Sequence, residues 1–128
     1  MNQLVLSVLV VGVLPFVLTA ISKSKGFTMK ENEHTRLWQA QLSGWQQRAH
    51  WAHQNAFETF PLFAVLAILA YMANPASPVA PIAAWTFVAL RVAHGACYIA
   101  GAGRLRSTAW MASQCAQIAL VLVAMRVV

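Results

Sequence analysis

An all-α integral membrane protein, a bundle of four spanning helices without strands, is the fold class this sequence predicts. Three observations predict it. Of 128 residues, 59% are hydrophobic and only 9% charged, a composition outside the range of ordinary soluble domains. The apolar runs are long enough to cross a bilayer. Turn residues cut them into one small domain, 1–128, with spans at about 3–22, 47–73, 79–100 and 107–127.

Each span has its own justification. Leu4 to Ile21 carries no charge and would extend ~27 Å as a helix, close to the thickness of the hydrocarbon core. Met-Asn-Gln in front of it supplies no basic region, so it reads as a span and not as a signal peptide. The second span begins inside a polar stripe and runs through Leu62-Phe-Ala-Val-Leu-Ala-Ile-Leu-Ala70 to Asn74-Pro75-Ala-Ser-Pro78, where the prolines disfavour helix at the residues before them. The third runs from Val79 to Ala100, and Gly101-Ala-Gly103-Arg104 is expected to break it. The fourth begins at Ser107.

Charge fixes an expected orientation. Lys23, Lys25, Lys30, Arg36 and Arg48 lie in or beside the first loop, and Arg104 and Arg106 in the third; the second loop has no charge. Loops one and three are therefore expected to be cytoplasmic and both termini outside. The net charge of +6 reads as topology plus attraction to anionic headgroups of membrane lipid; no soluble basic face exists for nucleic acid. Cys97 and Cys115 lack metal-type spacing and read as small buried residues. No metal site is expected, because no acidic third ligand accompanies His50 and His53; these two read as interfacial packing or hydrogen bonding. The chain is compact and shows no organelle address, so a bacterial inner membrane is the expected location.

The polar residues inside the spans carry the functional content. Arg48, Trp51, Asn55 and Glu58 follow at steps of 3, 4 and 3 residues and share one helix face. Glu58 is the only acidic residue outside the first loop, and an ionisable group in lipid is costly enough to imply a role. Arg91, His94 and Tyr98 share a face of the third helix. Read structurally, Arg91 is simply the counter-ion of Glu58, while Ser113, Gln114 and Gln117 hydrogen-bond between helices at ~0.6 kcal/mol each. Read functionally, Arg48, Asn55, Glu58, Arg91, His94, Tyr98, Arg106 and Ser107 exceed what packing requires. Three arginines, one carboxylate and neutral donors suit a small zwitterionic, net-anionic ligand.

Two stretches give a family resemblance that covers nearly the whole chain. Arg48-Ala-x5-Asn55-x2-Glu58-x2-Pro61 is similar to the second-helix signature of the MAPEG family, the membrane-associated proteins of eicosanoid and glutathione metabolism. Arg91-Val-Ala-His94-x3-Tyr98, followed by Arg106-Ser107 and Gln114, resembles its prostaglandin E synthase and microsomal glutathione S-transferase type, with one residue fewer between Tyr98 and Arg106. The resemblance implies a homotrimer, with glutathione as co-substrate bound between neighbouring subunits at the cytoplasmic side. Asn55 and Glu58 match the positions that hold the glutathione backbone, Arg91, His94 and Tyr98 match the third-helix wall of that pocket, and Arg48 is expected to help bind glutathione beside them. Arg106 matches the arginine credited with stabilising the thiolate, and Ser107 the hydroxyl beside it. Where some glutathione-using members carry further arginines, this chain has Trp51 and Gln54.

The expected function is a glutathione-dependent membrane transferase or peroxidase acting on small lipophilic electrophiles or lipid hydroperoxides that arrive laterally from the bilayer. The alternative is a non-catalytic lipid-binding or adaptor protein of the same fold, which the loss of charge at Trp51 and Gln54 favours.

Overall fold

In lipid an uncharged apolar run satisfies its backbone only as a helix or in a closed barrel. The computed structural model, which describes residues 2–128, takes the first solution throughout. Its helices are α1 (Asn2–Lys23), α2 (Met29–Asn32), α3 (Thr35–Ala40), α4 (Gly44–Ala73), α5 (Val79–Ala100) and α6 (Gly103–Ala124), with no strand among the described residues. Four of them, α1, α4, α5 and α6, are long and apolar enough to cross a membrane. They run alternately up and down, so the end of α1, the start of α4, the end of α5 and the start of α6 gather at one end of the bundle.

The helices depart most from expectation in two places. α6 starts at Gly103 instead of Ser107, because the break between α5 and α6 needs only Gly101 and Ala102. Gly101 takes the left-handed conformation (φ 77°) that a side chain resists. The Ala102 N–H then reaches back to Cys97 O (2.9 Å), and the Arg106 N–H already closes on Ala102 O (2.9 Å). The first loop holds two short helices where none was expected. Thr28 and Glu31 form a capping box at the start of α2, a Thr-x-x-Glu pattern present in the sequence.

Packing is closest between α5 and α6 and between α1 and α4. Alanine dominates the buried positions: Ala67 and Ala70 on α4, Ala80 and Ala84 on α5, Ala116 on α6. Small residues of this kind let helix backbones approach where lipid leaves no hydrophobic driving force between them. Into this frame fit two fully buried rings, Phe63 and Phe87, stacked at 4.2 Å between centroids and 7° between planes. Gly95 is buried against α1. A Cβ there would lie 3.3 Å from Leu18 Cδ2, so Gly95 is consumed inside the subunit while Ala93 and Ala96 stay exposed. The outer surface carries Leu9, Phe16, Leu62, Ile68, Ile82 and Ile118, an apolar belt that water would not tolerate and lipid does.

Ser113 and Gln114 do not bond between helices as expected. Ser113 Oγ donates to Trp110 O (2.6 Å), and Gln114 Nε2 donates to Ser113 Oγ (3.2 Å), both within α6. Their hydroxyl and amide lie within reach of their own preceding turn, which satisfies them first. Gln117 Nε2 is buried without a partner among the described residues. His53 does link helices: its Nδ1–H donates to Pro15 O (2.8 Å), tying α4 to α1 where Pro15 interrupts the α1 ladder.

The Phe63–Phe87 stack yields a test of packing without hydrophobic transfer. Phe87→Ala is expected to lower stability in detergent by less than the ~3–5 kcal/mol of a soluble core, because the transfer part of that cost is missing in an apolar solvent. Thermal unfolding of the two proteins measures it, and a loss above that range contradicts the packing account.

Candidate functional site

Ala52 and Ala56, buried on one stripe of α4, pack with Leu18 of α1 and with Tyr98 and Ile99 of α5. This close seating turns the neighbouring Asn55 toward α5, where it meets Arg91. The Arg91 side chain is only 1% exposed, and its Nη2 donates to Asn55 Oδ1 at 2.7 Å and to Asn55 O at 3.4 Å. A guanidinium only donates, so the amide oxygen of Asn55 must face it and the NH2 must face away. On that side Asn55 Nδ2 donates to Glu58 Oε2 (3.4 Å). Arg91 and Glu58 are thus connected through Asn55 and do not form the direct ion pair that a counter-ion role requires. Arg91 Nε and Nη1 are buried without partners among the described residues.

One turn further along α5, the buried His94 meets Tyr98 edge-on, with ring centroids 5.5 Å apart. The guanidinium carbon of Arg106 lies 4.6 Å over the Tyr98 ring. That cation–π contact holds the group while consuming none of its N–H donors. Arg106 falls in the first turn of α6, whose free N–H groups and dipole add positive potential.

Asn55, His94, Tyr98, Arg106, Ser107, Trp110 and Met111 line one open groove of about 410 Å³. Its chemistry is graded. Asn55, His94, Arg106 and Ser107 form a polar end rich in donors, while Trp110 (41% exposed) and Met111 (65% exposed) form an apolar wall on the outer surface. Among the described residues, no group of three or more His, Cys, Asp or Glu is placed to hold a metal ion.

Of the residues singled out in the sequence, Asn55, His94, Tyr98, Arg106 and Ser107 come together in the groove. Arg91 stands behind Asn55, and Glu58 is exposed beside it. Arg48 is elsewhere: its Nε donates to Ile99 O (2.9 Å) at the end of α5. Trp110 and Met111 were not singled out, although their 3- and 4-residue steps from Arg106 and Ser107 put them on the same face of α6.

Fold and groove together define a polytopic membrane protein with a cationic, donor-rich site opening beside an apolar wall. The sequence model of the MAPEG family matches residues 3–126, and the chain belongs to that family, which includes glutathione transferases and peroxidases along with other members. No curated protein and no solved structure gives a significant match.

The Arg91–Asn55 bond makes an asymmetric prediction. Asn55→Leu strands a buried charge and is expected to cost up to ~3 kcal/mol, whereas Arg91→Met leaves only a neutral amide and is expected to cost about 1 kcal/mol. Combining the two should recover most of the loss. Unfolding midpoints in detergent read this order, and Arg91→Met proving the more damaging variant would sink the assignment.

Proposed function

We propose that the groove binds glutathione and stabilises its thiolate, and that the protein is a glutathione-dependent transferase or peroxidase acting on lipophilic electrophiles or lipid hydroperoxides. The observation that carries this reading is Arg106: a guanidinium held by a π face, with its donors uncommitted, at a groove that also presents a hydroxyl from Ser107 and the ring of His94.

The chemistry has the right size. A free thiol has a pKa near ~8.5 and is mostly protonated at neutral pH. Lowering it by about two units requires ~2.7 kcal/mol of preferential thiolate stabilisation, within the range of charge-assisted hydrogen bonds in a site shielded from water. Arginine keeps its proton, so Arg106 acts as an electrostatic stabiliser and not as a base. Ser107 supplies a second donor to the sulfur. The glutathione body is assigned to its neighbours. Asn55 Nδ2, aimed outward by Arg91, donates to a carboxylate, and Glu58 receives the ammonium. His94 and Tyr98 form the wall, and Arg91 adds an attractive field from behind. Arg48, on this reading, contributes indirectly. The electrophile approaches along Trp110 and Met111 from the lipid. A homotrimer, in which a neighbouring subunit closes the open side of the groove, completes the reading, with the groove end of the bundle facing the cytoplasm.

A lipid-binding role without chemistry is the second reading. Trp51 and Gln54 are exposed on α4 next to Asn55, and they leave that surface without the cations a dicarboxylate ligand favours.

Arg106→Ala separates the two. The bound thiol is expected to ionise about two pH units higher, read by thiolate absorbance across a pH series, and turnover with a soluble aryl halide is expected to fall ~10²–10³-fold while oligomeric state is retained. An unchanged ionisation and rate in the variant would remove Arg106 from the chemistry.

A further inference from the structure

Arg48 shares the helix face of Asn55 and Glu58, yet its guanidinium leaves that face for the end of α5. Its Nε donates to Ile99 O at 2.9 Å. That carbonyl lies in the last turn of α5, where the helix has no N–H of its own to offer, and a cation there also opposes the negative end of the helix dipole. The side chain lies against Gly101 as well: a Cβ on this glycine would sit 3.5 Å from Arg48 Nε and 3.6 Å from Cζ. Gly101 (φ 77°) and Ala102 are the whole connection between α5 and α6. On one side of that turn stands Tyr98, and on the other Arg106, whose N–H closes on Ala102 O. The cation–π pair at the polar end of the groove therefore spans the turn that Arg48 clasps.

We propose that Arg48 is a positioning residue: it locks the α5–α6 turn and so fixes Arg106 over Tyr98, and it does not touch the bound thiol peptide. This rests on the glutathione reading above for its effect on chemistry, while the clasp itself is independent of any ligand. The distinction from a ligand role is sharp. A ligand arginine contributes to affinity and leaves the sulfur alone. A positioning arginine leaves affinity nearly intact and acts on the thiolate through Arg106.

The experiment compares the full-length chain in detergent with Arg48→Gln and Arg48→Lys by three measurements: hydrogen exchange of the segment 97–107, glutathione affinity by calorimetry, and ionisation of the bound thiol with turnover across pH. For Arg48→Gln the expected result is faster exchange in 97–107 relative to the α4–α5 connection, affinity within about threefold, the thiol ionising at higher pH, and kcat reduced about tenfold with KM little changed. Arg48→Lys keeps a cation near Ile99 O and is expected to restore most of kcat. A large loss of affinity with unchanged thiol ionisation would overturn the proposal in favour of a ligand role. Unchanged exchange would overturn the clasp, and faster exchange with unchanged ionisation and kcat would reduce it to a structural contact. If the native protein binds no glutathione, the functional reading fails by itself, and the exchange data still decide whether Arg48 holds the turn.

Discussion

A guanidinium buried between helices constrains everything around it. Arg91 is shut away from solvent, and its side-chain partner is the amide oxygen of Asn55 at 2.7 Å. Charge in such a setting is tolerated only when neighbouring dipoles are aimed at it. Asn55 must therefore sit on the face of α4 that meets α5, its amide must point oxygen-inward, and its NH2 must point out toward Glu58 and the groove. The alanine stripe of α4 makes the approach close enough for this bond. One buried cation thus sets the orientation of an amide and the donor character of the site, on a helix face that the alanine contacts turn toward α5.

The bundle separates two tasks along its length. Toward one end, stacked rings and alanines form a dry contact among α4, α5 and α6. Toward the other, polar groups that would be a liability in lipid are held by one another: Arg91 by Asn55, Arg106 by the Tyr98 ring, and Arg48 by the open carbonyl of Ile99. Each of these three arginines has a different kind of partner, and the ring face that holds Arg106 takes none of its N–H donors. This difference, more than the number of arginines, is what favours Arg106 for the proposed contact with a thiol.

The four spans, their approximate limits and the family were legible in the sequence, because long uncharged runs and the spacings Arg48–Asn55–Glu58 and Arg91–His94–Tyr98 are one-dimensional signals. The gathering of Asn55, His94, Tyr98, Arg106 and Ser107 into one groove follows from the same faces. What the spacing did not contain is depth. Periodicity gives the direction in which a side chain leaves its helix but not the rotation of that helix against its neighbours, which the alanine contacts decide. Hence Arg91 and Asn55 look equivalent in sequence, although one is buried behind the other. The position of the Arg48 guanidinium was hidden for a related reason: a long side chain can leave the face on which its Cα sits and serve another helix end. The early start of α6 turned on a single left-handed glycine, and Trp110 and Met111 were overlooked because apolar residues in a membrane span carry no contrast.

Recognition of glutathione by this groove is the central question. Calorimetric titration of glutathione into the detergent-purified protein is the direct measurement. Saturable binding, with no more than one site per chain and weakened when S-methyl glutathione replaces the free thiol, is the predicted result, since the thiolate contact at Arg106 would then be lost. No heat of binding at millimolar glutathione would contradict the account, and would mean that the family's helices frame a different, lipid-derived ligand in this chain.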